Sequence, residues 1–260
     1  PTVDFQLERR ITMGKFHGKT AIVTGGASGI GRAAAIAFAK EGANVVIVTS
    51  TIIDKANQLA EELKSMGVGS IGVKCDVRDE TSVEAMVKLA VDTFGSVDIA
   101  FNNAGVGPDG VNIPLAPLTE VTQKDWEWVL GVNLTGAFYC IKHELRQMRK
   151  QRSGVIVTTA STAGIKPMPN FGAYGPGKAG LIQLTKAAAV ENREFGIRCN
   201  VVCPGPTLGT GMANRMFRDG APKEAGVPDD IVRVVTWLCS DESSHVTGNV
   251  ISADGGLDIL

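Results

Sequence analysis

The chain has 260 residues, enough for one large domain or two small ones and for a sizeable core. Its 26 Lys+Arg against 27 Asp+Glu leave a formal net charge of −1, without the basic excess of a nucleic-acid binder or the polybasic character that favours anionic membranes. No apolar run approaches the roughly 20 residues of a membrane span, so neither a nucleic acid nor a membrane is an expected partner.

In chain order, residues 1–15 carry Asp4, Glu8, Arg9 and Arg10 and no apolar signal region. They are expected to form a flexible extension, with Met13 as a candidate native start, and residues 16–260 to form one domain of a cytoplasmic protein. A short apolar run from Ala21 to Thr24 leads into Gly25-Gly26-Ala27-Ser28-Gly29-Ile30-Gly31 and then a small-residue helix from Ala33 to Ala39. Glycines between a strand and a helix let backbone approach a pyrophosphate, and the helix start offers unpaired N–H donors. The other phosphate loop, GxxxxGK[ST], does not fit because Arg32 and Ala33 follow Gly31.

Further strands are expected at Val45 to Val48, Ser70 to Lys74, Val97 to Phe101, Val155 to Thr159, Ile197 to Val202 and Val250 to Ser252. These runs are nearly continuously apolar, the pattern of strands buried on both faces. Helical spacing lies between them, most clearly in Val83, Met86, Val87, Ala90, Val91 and Phe94, with Asp79 as the expected cap and Gly95 as the stop. The alternation predicts an α/β fold, a single-domain doubly wound parallel sheet of about seven strands with helices on both faces. Ligands in such sheets bind beyond the carboxyl ends of the strands.

Toward the reacting end, Tyr174 and Lys178 are four apart, on one helical face, where an ammonium beside a phenol favours the phenolate. Pro176 lies between them and is tolerable only in a helix's first turn, so the helix is expected to begin near Ala173. Cys75, Cys140, Cys199, Cys203 and Cys239 form no CxxC pair and read as reduced core thiols. His17, His143 and His245 lack metal-ligand spacing, so no metal site is assigned. Trp126 and Trp128, two apart on a predicted helix, face different ways.

The TGxxxGxG spacing resembles the short-chain dehydrogenase/reductase family, a group of NAD(P)-binding Rossmann-fold oxidoreductases. Asp76-Val77, Asn102-Asn103-Ala104-Gly105, Pro204-Gly205, Val246-Thr247-Gly248 and Asp254-Gly255-Gly256 are similar to its later motifs, in the same order. The resemblance implies a catalytic set of Ser161, thirteen residues before Tyr174, with Tyr174, Lys178 and Asn133. It implies cofactor contacts at Gly25, Ser28, Gly29, Ile30, Gly31, Thr49, Ser50, Asp76, Val77, Asn103, Ala104, Gly105, Pro204, Gly205 and Thr207, besides Tyr174 and Lys178. By the same resemblance Asn133, in a long helix, helps hold a water linking Lys178 to solvent.

The implied activity is hydride transfer between a nicotinamide cofactor and a small alcohol or carbonyl substrate, by a homo-oligomer that is a tetramer or dimer. NAD and NADP stay open: an acid after the second strand selects the ribose 2′-OH and an arginine a 2′-phosphate, whereas this strand ends Thr49-Ser50. The chain departs from the family around Pro176 and in a displaced, short substrate lid at residues 207–228. Ile165, Pro167, Met168, Phe171, Leu208, Met212, Met216 and Phe217 are candidate pocket lining. The competing reading is a dinucleotide-binding sensor on the same fold without turnover.

Overall fold

The computed structural model describes residues 14–217, 220 and 222–257. The expectation for residues 1–13 lies outside them. Seven strands, β1 (Thr20–Thr24), β2 (Asn44–Thr49), β3 (Ser70–Lys74), β4 (Ile99–Asn102), β5 (Gly154–Thr159), β6 (Ile197–Pro204) and β7 (Val250–Ala253), pair in parallel in the order β3-β2-β1-β4-β5-β6-β7. Every neighbouring pair is parallel, so each connection crosses over the sheet.

The connecting helices are α1 (Gly29–Lys40), α2 (Ile53–Lys64), α3 (Glu80–Phe94), α4 (Gln123–Leu130), α5 (Ala137–Gln151), α6 (Tyr174–Asn192), α7 (Gly211–Met216) and α8 (Pro228–Cys239). Buried residues of α1, α2 and α8 pack with Ala21 and Val23 on one face of the sheet. Those of α3, α5 and α6 pack with Ile22 on the other. Strand alternation therefore feeds two apolar layers at once, which is why β1 reads as an unbroken apolar run. Asp79 caps α3 by accepting from Thr81 N at 3.0 Å, and Gly95 ends it at φ +87, a left-handed stop that suits glycine.

The long helix expected around Asn133 is interrupted. Residues Gly131–Gly136 form a π-helical segment between α4 and α5. Asn133 spends its side chain outside the helix, donating through Nδ2 to Val106 O at 2.6 Å and accepting from Val106 N at 3.0 Å. A Cβ at Gly136 would lie 2.6 Å from Val77 Cγ2, so this segment packs closely against the turn after β3. One extra residue per turn is the local cost of turning Asn133 toward the β4 end.

Helix α6 begins at Tyr174, after Ala173, as the proline argument expects. Pro176 is its third residue, where the missing N–H would have had no intrahelical acceptor. All five cysteines are buried and none forms a disulfide among the described residues. Among the described residues no helix is long and apolar enough to cross a membrane.

Candidate active site

The strand order reverses between β1 and β4, opening a crevice where their connections leave in opposite directions. Thr24 joins the two strand ends. Its buried Oγ1 accepts from Asn103 N at 2.9 Å and Ala104 N at 3.0 Å, and Asn103 Nδ2 donates to Thr24 O at 3.2 Å. Gly25 turns the chain away at φ +65, and a Cβ on Gly31 would stand 2.2 Å from Gly25 O. Ser28 precedes α1 in an extended conformation and makes no side-chain cap, while the first turn holds no acidic residue. The first-turn N–H groups of α1 thus meet neither a capping side chain nor a negative charge, and this cradle of glycine backbone fits a pyrophosphate. Ile30 turns inward to pack on the core behind it.

At the far side of the crevice Thr49 is the last, buried residue of β2 and Ser50 beyond it is exposed. Asp76, expected as a nucleotide contact, has its carboxylate on Arg78: Nε reaches Oδ1 at 3.0 Å and Oδ2 at 3.1 Å. That guanidinium holds the Asp76 carboxyl below its ordinary range. Val77 is buried under Gly136.

The reacting end gathers Ser161, Tyr174, Lys178 and Asn133. Ser161 follows β5 and its Oγ accepts from Ala163 N at 3.2 Å. The same hydroxyl is close enough to the Tyr174 phenol to favour its ionised form. Lys178 is 3% exposed, donates to Thr159 O at 2.7 Å and sits 5.6 Å from the Tyr174 ring centroid. Gly105 approaches both partners: a Cβ there would lie 3.0 Å from Asn133 Oδ1 and 3.3 Å from Lys178 Nζ.

The electrostatics correct one expectation. Burial pushes the Tyr174 phenol up to about 12, opposed by the Ser161 hydroxyl, and the nearby ammonium does not reverse this. Burial also pulls Lys178 down to about 8. Desolvation exceeds charge attraction because Lys178 donates a hydrogen bond to Thr159 O and the phenol is enclosed. Without ligand, Tyr174 is therefore a proton-bearing phenol at neutral pH.

The strand end after β6 is tied by Thr207 Oγ1 donating to Gly205 O at 3.0 Å and Thr210 Oγ1 to Thr207 O at 2.8 Å. A Cβ on Gly205 would meet Asp254 Cβ at 2.7 Å, so the Pro204-Gly205 turn lies against the end of β7. Gly226 N donates to Pro206 O at 3.0 Å, closing the base of the lid. Helix α7 places Met212 over the site: a Cβ on Gly107 would stand 2.7 Å from Met212 Cε and 2.8 Å from the Tyr174 ring. Phe171 meets that ring edge-on at 6.0 Å. Of the other candidate lining residues, Ile165 and Met168 are exposed.

Motif reading assigned no role to four features. Thr24 and Thr159 act through backbone and hydroxyl positions, and Gly107 gives room to Tyr174 and Met212. The fourth is Arg215 on α7, whose Nε donates to Asp109 Oδ2 at 2.7 Å, joining lid to β4 loop. Asp109 also accepts from Val111 N, Asn112 N and Asn112 Nδ2, which with Arg215 hold its carboxyl far below the usual range. Only the Thr-Gly pair opening the glycine run carried a sequence signal.

A pyrophosphate cradle at the switch point, beside a buried Ser–Tyr–Lys cluster, defines an NAD(P)-dependent oxidoreductase of CH–OH and C=O groups. The family described as enoyl-(acyl carrier protein) reductase matches residues 25–258. Among relatives, the "Short chain dehydrogenase/reductase astE" of Aspergillus oryzae is 37% identical over 94% of this chain and 96% of its own. The 3-oxoacyl-(acyl-carrier-protein) reductase FabG of Staphylococcus aureus is 36% identical over 92% of this chain and 98% of its own. The crystal structure of levodione reductase superposes with a TM-score of 0.84 at 31% identity, covering 94% of this chain and 99% of that one. The chain belongs to the short-chain dehydrogenase/reductase family.

Proposed function

We propose that this protein reduces the carbonyl of a small, largely apolar substrate, or oxidises the corresponding alcohol, with Tyr174 as general acid and base. The nicotinamide, when bound, supplies or accepts the hydride. Tyr174, protonated at neutral pH, gives its proton to the forming alkoxide oxygen and takes one back in oxidation. Ser161, next to that phenol, donates to the same oxygen and stabilises its charge. Lys178 keeps one N–H on Thr159 O and directs the others to the nicotinamide ribose hydroxyls. Asn133 fixes Val106 and the loop beside Lys178.

The observation that carries the reading is the buried pair of Tyr174 and Lys178, with Lys178 Nζ 5.6 Å from the Tyr174 ring centroid, beside Ser161 at the end of β5. A hydroxyl pair aimed at one oxygen suits C=O and CH–OH chemistry, while the apolar side chains of Phe171 and Met212 suit a small ketone. The test is a panel of ketones and secondary alcohols with NADH, NADPH and their oxidised forms, followed by reduced-nicotinamide absorbance. Turnover dependent on cofactor is expected; cofactor binding without turnover on a broad panel would mean a sensor instead.

The remaining cofactor contacts are assigned to Ser28, Gly29, Ile30 and Gly31 for the phosphates, and to Thr49, Ser50, Asp76 and Val77 on the adenosine side. Asn103, Ala104, Gly105, Pro204, Gly205 and Thr207 serve the nicotinamide side. With neither acid nor arginine at the end of β2, charge there does not separate NAD from NADP. Thr49→Asp is expected to raise the NADH over NADPH preference by about tenfold or more, an effect of about 1.4 kcal/mol. An unchanged ratio of dissociation constants removes this loop from cofactor choice.

Residues 16–260 are read as one domain of a dimer or tetramer. Exposed Phe138 on α5 and Val190 on α6 offer apolar contact for subunits. Five buried cysteines without a disulfide support a reducing compartment, the cytoplasm.

A further inference from the structure

Behind the crevice, two buried polar side chains face each other across the junction of β4 and α5. Asn102, the last residue of β4, donates through Nδ2 to Oε2 of Glu144 at 2.7 Å, and Glu144 is fully buried. The remaining oxygens of the pair, Asn102 Oδ1 and Glu144 Oε1, are both buried and have no hydrogen-bond partner among the described residues. An ionised Glu144 leaves this arrangement short of donors, because a carboxylate and an amide oxygen only accept. Two orphan acceptors in an apolar layer are costly, and a buried unpaired charge more so.

We propose that Glu144 is a positioning residue: as a neutral carboxyl it donates from Oε1 to Asn102 Oδ1, completes a two-bond acid–amide pair, and holds the end of β4 from which Asn103 and Ala104 reach the crevice. Asn102 continues directly into the two residues whose N–H groups lock onto Thr24 Oγ1. A disturbed Asn102 therefore reaches the cofactor end of β1 within one or two peptide units.

The surroundings agree. The titratable groups that face Glu144 are Cys140 on α5 and Cys199 on β6, two thiols that burial keeps neutral. The nearby basic side chains are committed elsewhere: Lys142 and His143 to Glu80 on α3, and Arg149 to Asn192 on α6. Thr185 of α6 bonds Thr158 and Leu181 O. With no cation facing it, burial pushes the Glu144 carboxyl from 4.5 up to about 7, the Asn102 bond opposing. Because the folded protein holds this proton more tightly than the unfolded chain, its stabilisation is complete below about pH 4.5 and is lost as pH rises through about 7. Lys178, pulled down to about 8, acts above that window with opposite sign.

The experiment compares the full chain with Glu144→Gln, whose amide can make the same two bonds without titrating. Thermal midpoints are measured from about pH 5 to about pH 8, with dissociation constants for NADH and NADPH at both ends. The parent midpoint is expected to fall across this range and its cofactor affinity to weaken several-fold, while the variant changes in neither. Parallel midpoint profiles for parent and variant overturn the shared proton. A midpoint difference without any change in cofactor affinity overturns the positioning role. If Glu144→Gln does not fold, the parent's infrared difference spectrum between about pH 6 and about pH 8.5 decides. The carbonyl band of a protonated carboxyl must be present at the lower pH and lost at the higher, and its absence overturns the proposal. The affinity arm rests on the cofactor site proposed above. A parent that binds neither nicotinamide would count against that site, whereas the midpoint and infrared arms still judge the pair.

Discussion

Tyr174→Phe is expected to lower turnover by about 10²- to 10⁴-fold, the usual worth of a positioned general acid. The phenyl ring keeps its place between Phe171, Gly107 and Met212, since those contacts are made by carbon atoms. Ser161 retains its bond from Ala163 N and loses only the phenol, so the stability change should stay near about 1 kcal/mol. The glycine turn is held by Thr24 and Asn103, which the substitution leaves in place, so nicotinamide affinity should change little. The loss therefore falls on kcat, as it does when an interaction made only in the transition state is removed. Steady-state kinetics alongside cofactor titration separate these terms. Parent-like turnover at about pH 7 would remove Tyr174 from the proton-transfer role.

That prediction uses a phenol that starts protonated, a point the sequence could not supply. The Tyr-x-x-x-Lys spacing places both side chains on one helical face, and α6 begins where Pro176 requires. Spacing says nothing about desolvation. Tyr174 and Lys178 are both enclosed, and Lys178 is already bonded to Thr159 O. Burial then moves the two groups toward their neutral forms, opposite to the direction argued from charge alone for the tyrosine.

The same division runs through the fold. The strands were legible because both faces of the sheet are covered and the apolar runs are unbroken, as in β1 with Ile22 on one layer and Ala21 and Val23 on the other. Caps such as Asp79 and stops such as Gly95 were legible because they act within four residues. The π segment at Asn133 was not, since its cause is a partner 27 residues away, the backbone of Val106. Likewise Asp109 and Arg215 are 106 residues apart, and no local pattern joins the lid to the β4 loop. Asp76 was legible as a position after β3, whereas the bond that Arg78 two residues on makes to its carboxylate was not.

The chain's 31 glycines, well above the usual level of roughly 7%, separate into two kinds by the same reasoning, and Gly31→Ala tests the distinction. A methyl at residue 31 would stand 2.2 Å from Gly25 O and 2.8 Å from Asn103 Nδ2. The first obstacle is backbone that cannot swing aside, so the turn between β1 and α1 must shift. Overpacking of this kind costs about 1–3 kcal/mol in stability. The larger expected effect is on the cofactor, because the displaced atoms are those that shape the cradle and carry Asn103. Weakening of NADH and NADPH binding by on the order of 10²-fold is expected, equivalent to about 2.7 kcal/mol. Gly67→Ala is the matched control. Gly67 also has a left-handed φ of +87, after α2, yet a Cβ there meets nothing within 4 Å. Its alanine should lose about 1 kcal/mol of stability through backbone strain and leave both cofactor affinities unchanged. Thermal midpoints and titrations with both cofactors separate the two variants. Equal affinities for Gly31→Ala and the parent would remove the cradle from phosphate binding, whatever the midpoints show.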